Sequence, residues 1–187
     1  GVRGNALTFD GVDDYVQIAT NGGLPFYDGL GASFSVCVWV NGQATEDDRI
    51  LALGSSTSNT PLWTIGTGRT SLGNGDKLQV FARNDDNQNL SRYSDSIVFD
   101  GTWHHIAYVE TSGRARLYVD GVLDTAHMDD RFGNRGTRGP FYGTYTMDLV
   151  ALGAVLRGTT CCHSMASLDE LRIYGFELSA ADVMTVM

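Results

Sequence analysis

The chain has 187 residues, of which 42% are hydrophobic, and a formal net charge of -9 from 22 acidic and 13 basic side chains. This length accommodates one domain with a sizeable core, and the acidic balance argues against nucleic acid or an anionic membrane as the main partner. No run approaches the ~18 consecutive apolar residues that a membrane helix requires. The chain starts at Gly1 without an initiator Met or a signal peptide, so we expect residues 1–187 to form a single domain excised from a larger extracellular protein.

The first half of the chain consists of short β-type runs separated by turn residues. Each run either alternates polar and apolar residues or is continuously apolar over a few positions, as strands do. The predicted strands are residues 5–10, 15–18, 33–40, 50–53, 62–65 and 78–82. Polar or Gly-rich loops are predicted between them, at residues 10–14, 21–25, 46–48, 54–60, 66–75 and 83–89.

A β-hairpin is predicted at residues 103–119, where two β-rich runs flank a short polar turn that contains Gly113. In the first run both faces carry apolar side chains, which predicts a central strand covered on both sides. His105 shares a face with core-type residues and is expected to be a hydrogen-bonded core histidine. His104 lies on the opposite face, where it is better placed to reach solvent or a ligand.

The last third of the chain begins with a segment that has no periodicity, residues 124–145, which is rich in Gly, Arg, Asp and aromatic residues. Long loops of this kind are often functional. Strands are predicted at residues 148–152 and 167–174, and the capping box Ser179-Ala-Ala-Asp182 predicts a short C-terminal helix. Strands at roughly ten-residue spacing without a long amphipathic helix predict an all-β sandwich or barrel.

The three cysteines, Cys37, Cys161 and Cys162, cannot form a fully paired intramolecular framework because their number is odd. Cys37 lies in an apolar run and is expected to be a buried hydrophobic residue. Cys161 and Cys162 have three open possibilities: a vicinal disulfide, one bond to a distant partner, or two free thiols. A zinc site with His163 is disfavoured, since three adjacent ligands lack the spacing that surrounds a tetrahedral ion.

Four segments, in order along the chain, carry recognisable motifs. Residues 6–16 read Ala-Leu-Thr-Phe-Asp-Gly-Val-Asp-Asp-Tyr-Val, and residues 33–40 form an apolar strand that ends in Trp-Val. The third segment is Gly-Thr-Trp-His-His-Ile-Ala-Tyr-Val at 101–109 with Arg-Leu-Tyr-Val-Asp-Gly at 116–121, and the fourth is Ser-Leu-Asp-Glu-Leu-Arg-Ile-Tyr at 167–174 followed by a helix start. Together they resemble laminin-G-like and pentraxin-like domains of the concanavalin A-like lectin and glucanase group.

This resemblance implies a jelly-roll sandwich of two antiparallel sheets with a short C-terminal helix, in a domain that binds glycans or protein ligands outside the cell, frequently with calcium. In such domains the terminal strands pair, which would bring Asp10 and Asp13 towards Asp169. Converging carboxylates repel one another unless a cation or an arginine intervenes. We therefore expect a calcium site at these three residues, with neutralisation by Arg3 or Arg172 as the alternative.

Sugar recognition combines an aromatic ring, on which the C–H face of a pyranose stacks, with planar polar side chains that bind hydroxyls. The segment after residue 82 has this mixture, and its predicted ligand contacts are Arg83, Asn84, Asp85, Asn89, Arg92 and Tyr93. Further candidates are Trp63, Tyr142, Tyr145 and His104. The alternatives are a solvated loop for this segment and core packing for Trp63, which lies in a predicted strand. Asn89-Leu-Ser91 is also an N-glycosylation sequon, and a glycan attached there would compete with ligand binding.

The sequence gives little support to catalysis. It lacks the paired-carboxylate strand motif of glycosidases with this fold and contains no nucleophile elbow, phosphate loop or zinc-protease motif. We therefore predict a non-catalytic, lectin-like carbohydrate-binding module, calcium-stabilised, in a secreted or cell-surface protein. The alternatives are an adhesion domain that uses the Arg-rich residues 133–139 against an acidic protein partner, and a purely structural domain of a surface or matrix assembly.

Overall fold

The computed structural model describes residues 1–18, 24, 33–83, 89–111, 114–124 and 147–187. Most of the loops predicted at 21–25 and 83–89, and nearly all of the aperiodic segment 124–145, lie outside these residues. The strands are β1 (Leu7–Thr8), β2 (Val16–Ile18), β3 (Ser33–Gln43), β4 (Arg49–Gly54), β5 (Leu62–Thr67), β6 (Lys77–Arg83), β7 (Asn89–Ile97), β8 (Asp100–Thr111), β9 (Arg114–Val119), β10 (Val122–Leu123), β11 (Leu149–Leu152) and β12 (Ala166–Tyr174). A 3-10 turn, Thr70–Leu72, lies between β5 and β6, and the C-terminal helix spans Ala180–Val186.

The strands form two six-stranded sheets whose neighbours are all antiparallel. Sheet 1 has the order β1-β12-β3-β8-β9-β10, and sheet 2 has the order β2-β11-β4-β5-β6-β7. The first and last strands of sheet 1 along the chain, β1 and β12, pair with each other. The predicted fold class, an all-β sandwich of two antiparallel sheets with a short C-terminal helix, is confirmed.

The two sheets enclose one apolar core, and an aromatic group links them. Trp63 of sheet 2 contacts Phe34 and Tyr108 of sheet 1, with ring centroids 6.1 Å and 5.3 Å away. Phe34 and Tyr108 lie 5.8 Å apart. All three side chains are fully buried. Aromatic side chains contribute large apolar areas to a core, so this group fixes how the two sheets face each other.

The predicted hairpin is confirmed as β8 and β9, and β8 lies centrally between β3 and β9. One face of β8 packs into the core through Ile106 and Tyr108. The other face packs Ala107 and Val109 under the C-terminal helix and its approach, in a second cluster that includes Leu178 and Val183. Ser179 caps the helix as predicted, since its hydroxyl accepts from the Asp182 N–H and the Asp182 carboxylate accepts from the Ser179 N–H. The strand is thus covered on both sides, as its sequence predicts.

Strand β7 is missing from the sequence prediction, which assigned residues 83–89 to a loop. Arg83 instead ends β6 and Asn89 begins β7, and the two strands pair along their length. The composition of β7, Asn-Leu-Ser-Arg-Tyr-Ser-Asp-Ser-Ile, is mostly polar because β7 is an edge strand and faces solvent over much of its surface. Within the described ranges, no helix has the length and apolarity needed to cross a membrane.

Candidate functional site

The outer face of sheet 2 carries a groove of about 260 Å³. Its floor consists of side chains that alternate with core residues along β6, since Leu78, Val80 and Ala82 point inward. Strand pairing aligns the outward residues in three rows across the sheet. They are Arg49–Gly66–Gln79–Tyr93, Ala52–Thr64–Phe81–Ser91 and Gly54–Leu62–Arg83–Asn89.

Residues on two sides of this floor form walls. One wall consists of Asp47 from the loop before β4 together with Arg69 and Leu72 at the 3-10 turn, and the other contains Val155, Arg157 and Cys162. The second wall is folded back on itself by backbone hydrogen bonds between residues 155 and 161, of 2.9 Å and 3.1 Å. Gly66 lets the first wall approach, because a Cβ at that position would lie 1.9 Å from the Asp48 carbonyl oxygen. The groove is therefore built by backbone pairing and does not depend on surface side chains alone.

Gln79 lies at the centre of the floor and is only 4% exposed. Its Nε2 donates to the Ser91 hydroxyl at 2.7 Å and to the Tyr93 hydroxyl at 3.2 Å. Its Oε1 is buried and accepts no hydrogen bond. Burying an unpaired acceptor costs free energy, so a ligand hydroxyl that reached this atom would recover part of that cost.

Arginines surround this floor. The Arg83 guanidinium lies 5.2 Å from the centre of the Phe81 ring, within cation–π range. Arg49 and Arg69 both donate to the Asp47 carboxylate, Arg69 at 3.2 Å. The Arg49 Nη1 also donates to the Thr67 carbonyl at 3.0 Å, which holds its side chain in place.

Glu46 fixes the wall that carries Arg69. Its carboxylate accepts hydrogen bonds from the Thr70 hydroxyl at 2.6 Å, the Ser71 N–H at 2.9 Å and the Ser71 hydroxyl at 2.7 Å. These hydrogen bonds lower the pKa of Glu46 to about 2, with a smaller contribution from the Arg69 charge. The 3-10 turn is thereby attached to the loop before β4 over the whole neutral pH range.

Of the sequence-predicted ligand residues, the structure brings Arg83 and Tyr93 together in the groove. Asn89 shares a row with Arg83 at the exposed rim. Arg92 alternates with Ser91 and Tyr93 and so points to the opposite face, with its Nη1 donating to the Ser91 carbonyl at 2.8 Å. The predicted residues that lie outside the described part of the chain are Asn84, Asp85, Tyr142 and Tyr145.

Trp63 and His104 lie away from the groove. Trp63 is 0% exposed in the core, so its ring cannot serve as a sugar platform, and the core alternative for this residue is correct. His104 is on sheet 1, where Nδ1 bonds to Asp120 at 2.8 Å and Nε2 approaches Asp100 at 3.3 Å. Burial opposes protonation of His104, but the two carboxylates outweigh it and raise its pKa.

His105 is buried at 1% exposure, as expected, and its ring lies 5.3 Å from that of Trp39. The expectation that its ring is hydrogen-bonded is not met at Nδ1, which is buried without a partner. Burial lowers the pKa of His105 to about 4, even though the charge of Asp120 acts in the opposite direction. The neutral imidazole is therefore part of the packing between sheet 1 and the C-terminal end of the chain.

The acidic turn after β1 brings Asp10, Asp13 and Asp14 together, with one carboxylate oxygen from each within 4.8 Å of the others. The Asp10 carboxylate accepts the Val12 N–H at 2.8 Å, and backbone hydrogen bonds of this kind lower its pKa. Hard carboxylate oxygens at an exposed turn are the donor type that calcium prefers. Among the residues that the structure describes, this is the one such acidic, cysteine or histidine group.

Asp169 is not a member of this group. The β1–β12 register places Leu7 opposite Leu168 and Thr8 opposite Ser167, so Asp169 lies beside the N-terminal segment and Asp10 extends past the other end of the pair. Its carboxylate accepts the Arg3 N–H and the Glu170 N–H, each at 2.9 Å. These bonds, that of Arg3 first, lower the pKa of Asp169. The predicted strand pairing is present, but its register separates Asp169 from Asp10 and Asp13.

All three cysteines are free thiols. Cys37 is buried as expected, and burial raises its pKa to about 11. The Cys162 Sγ lies 2.8 Å from the Cys161 Sγ, and burial together with this neighbour raises the pKa of Cys162 to about 12. At neutral pH the Cys162 thiol, which lines the groove, is therefore protonated and carries no thiolate charge.

Gln79, Phe81 and Ser91 of the groove are absent from the residues predicted to bind ligand. Their signal is the alternation of core and polar or aromatic residues in Leu-Gln-Val-Phe-Ala-Arg, residues 78–83, which marks a strand with one face in the core and one face outside. Once β7 is recognised as the next strand, the same alternation pairs Ser91 with Phe81 and Tyr93 with Gln79. The missed strand therefore concealed the floor of the groove.

Several solved structures are similar to this chain. A SAP-like pentraxin from Limulus polyphemus aligns with a TM-score of 0.62 and 15% identity, over 96% of this chain and 79% of that chain. Domain 4 of the extracellular arabinanase AbnA from Geobacillus stearothermophilus, solved with arabinotriose, aligns with a TM-score of 0.68 and 18% identity, over 100% and 78%. A mutant of the NanB sialidase from Streptococcus pneumoniae aligns with a TM-score of 0.69 and 18% identity, over 97% of this chain but 27% of the sialidase.

At these identities the similarity establishes a shared fold. No curated protein gives a significant sequence match. A family model described as the concanavalin A-like lectin/glucanases superfamily, of the laminin G type, matches residues 10–184. The match spans nearly the whole chain and agrees with the two antiparallel sheets. The chain belongs to the concanavalin A-like lectin/glucanase superfamily.

Proposed function

We propose that this chain is a non-catalytic carbohydrate-binding module of a secreted or cell-surface protein, and that its sugar ligand lies in the groove on sheet 2. The observation that carries this proposal is Gln79, a buried amide at the floor of the groove with an unused acceptor. The ring of Tyr93 beside it offers an apolar surface of the kind against which sugar rings stack. The arabinanase domain, which has the same fold and was solved with an oligosaccharide, supports this proposal.

The size of the groove fits a small ligand segment. Its volume of about 260 Å³ lies near the lower end of the ~300–1,000 Å³ usual for ligand pockets. A groove of this size holds one or two sugar units of a longer chain, while the rest of the polymer extends beyond the walls. Binding of this kind requires hydrogen bonds and stacking but no catalytic group.

A glycan array tests this proposal, with the wild-type chain compared with Gln79→Leu. The leucine keeps most of the side-chain volume but removes the amide, so we expect at least a tenfold loss of affinity, as for one or two hydrogen bonds in a dry site. Gln17→Leu is the matched control, because Gln17 is exposed on β2 at the far edge of sheet 2. An array without any bound glycan would overturn the proposal and favour the protein-interaction or structural alternatives.

We further propose that calcium binds at the acidic turn through Asp10, Asp13 and Asp14. Calcium at a hundredfold excess over its Kd is expected to stabilise the fold by about 2.7 kcal/mol, which raises Tm by roughly 5–10 °C for a chain of this size. Differential scanning calorimetry with calcium and with a chelator measures this shift.

Two variants separate the possible ligand sets for calcium. Asp13→Asn is expected to remove most of the calcium-dependent shift, because it removes one charged ligand. Asp169→Asn is expected to preserve the shift, since its carboxylate already accepts two backbone N–H groups near the N-terminus. Equal loss of the shift in both variants would assign Asp169 to the site, and no shift in the wild type would exclude calcium at this turn.

A further inference from the structure

The charge of the groove is opposite to that of the whole chain. The chain has a net charge of -9, whereas the residues that line the groove include four arginines and one carboxylate. The arginines come from separate places in the fold: Arg49 on β4, Arg69 before the 3-10 turn, Arg83 at the end of β6 and Arg157 on the second wall. Positive charge concentrated in a concave site raises the local concentration of anions.

Only part of this positive charge is neutralised by neighbours. Arg49 and Arg69 share the Asp47 carboxylate. Within the described ranges, Arg83 and Arg157 have no carboxylate partner: Arg83 stacks on Phe81, and the Arg157 Nη2 donates to the Cys161 Sγ at 3.5 Å. The Arg83 Nε is buried without an acceptor. Donors in this state favour a ligand that supplies negative oxygen atoms.

The buried Gln79 Oε1 adds an independent constraint on the ligand. It is an acceptor with no partner, in a side chain that is 4% exposed, and so it requires a donor such as a sugar hydroxyl. An anion without a donor, such as a bare phosphate ester, satisfies Arg83 but leaves Gln79 unpaired. A ligand that carries both hydroxyls and an anionic group satisfies both side chains.

We infer that the groove selects acidic glycans, in which a carboxylate or sulfate group of a sugar pairs with Arg83 and a hydroxyl of the same chain donates to Gln79. This inference rests on the proposed function and narrows it to a ligand class. The planar guanidinium matches a carboxylate through two parallel hydrogen bonds, which favours uronate-type sugars over sulfate esters. Arg157, which also lines the groove, adds a second positive charge.

Isothermal titration calorimetry with matched ligands tests this inference on the full chain. Oligogalacturonate and its fully methyl-esterified form share one backbone and differ in charge, and a sulfated galactan oligosaccharide carries the other anionic group. We expect oligogalacturonate to bind at least tenfold more tightly than its methyl ester. We also expect its affinity to fall as salt rises, because screening weakens the charge interaction. The sulfated ligand is expected to bind between these two.

Charge-removing variants locate the interaction. Arg83→Gln is expected to weaken oligogalacturonate binding about 10- to 100-fold, as for the loss of charge-assisted hydrogen bonds, and to weaken binding of the methyl ester by a clearly smaller factor. Arg157→Gln, with a smaller expected loss, provides a second test if Arg83→Gln unfolds. Arg3→Gln is the matched control, because Arg3 is exposed near the N-terminus, away from the groove, and the net charge changes by the same amount.

Other outcomes of these experiments would contradict the acidic-glycan inference, and one of them would also contradict the proposed function. Equal affinity for the acidic and esterified forms would overturn the acidic-glycan inference but leave carbohydrate binding intact. Tight binding of a neutral glycan on the array, with an affinity unchanged by Arg83→Gln, would likewise overturn the acidic-glycan inference but not carbohydrate binding. If polyglutamate bound as strongly as oligogalacturonate, the inferred ligand would be an acidic peptide and not an acidic glycan. No binding of any sugar would overturn both the inference and the proposed function.

Discussion

Replacing Trp63 with alanine is expected to lower the free energy of unfolding by about 3–5 kcal/mol, the cost of removing a large aromatic side chain from a packed core. Trp63 is 0% exposed and touches Phe34 and Tyr108 of the opposite sheet, so the cavity would open where the two sheets meet. Since small proteins are stable by about 5–15 kcal/mol, this single change removes a large part of the total. Urea unfolding followed by far-ultraviolet circular dichroism measures it.

Trp63→Phe is the control for this prediction. It keeps an aromatic ring in the core and is expected to cost less than half as much as alanine. The same variant decides between the two sequence-based interpretations of Trp63. Because the ring lies inside the sandwich, the folded Trp63→Phe protein should bind sugar as the wild type does. A loss of sugar binding at unchanged stability, or an alanine variant as stable as the wild type, would contradict the core assignment.

Acidification from pH 6.5 to pH 4 is expected to destabilise the fold by about 3 kcal/mol through His105 alone. Burial holds the pKa of His105 at about 4 in the folded chain, compared with its usual value of 6.5. The unfolded chain therefore binds a proton at this residue below pH 6.5, while the folded chain does so only near pH 4. Stability from this group is complete above pH 6.5 and is lost as the pH falls, by 1.36 kcal/mol per unit of pKa difference.

His105→Gln isolates this effect, because it removes the titrating ring and keeps a neutral polar side chain. His104 is present in both proteins. Its raised pKa contributes stability that is complete at low pH and is lost as the pH rises. The pH dependence due to His104 therefore partly opposes that due to His105. Chemical unfolding at pH 4.5, 5.5, 6.5 and 7.5 gives the slope for each protein. The wild type should lose stability between pH 6.5 and 4.5 by clearly more than the variant. Identical slopes would show that His105 does not resist protonation.

Much of the fold follows from the sequence because buried strands have a recognisable apolar pattern. The run that became β3 is continuously apolar, and the β8 run carries apolar side chains on both faces, which is what a strand between a core and a covering helix requires. The Ser179 capping box gives the start of the helix for an equally local reason. The structure of each of these elements is predictable from the sequence of that segment alone.

The candidate site follows from the sequence only in part, because its residues meet through strand register. Gln79 and Tyr93 are 14 positions apart and become neighbours only when β6 pairs with β7. Register also explains why Asp169 does not join Asp10: the terminal strands pair as predicted, but a pairing displaced by a few residues changes which side chains meet. A polar edge strand such as β7 has no hydrophobic pattern that would reveal its pairing with β6.

The alternation along β6 assigns core packing and ligand recognition to different side chains of one strand. Leu78, Val80 and Ala82 lie in the core between the sheets, whereas Gln79, Phe81 and Arg83 line the groove, where Phe81 also packs against the small cluster of Ala52, Leu62 and Val155. Random mutagenesis confined to Gln79 and Arg83 and to Ser91 and Tyr93 would therefore sample new ligand preferences while leaving the core between the sheets untouched. The sheet is thus a stable frame on which recognition can diversify, since a fold does not fix the ligand that its surface binds.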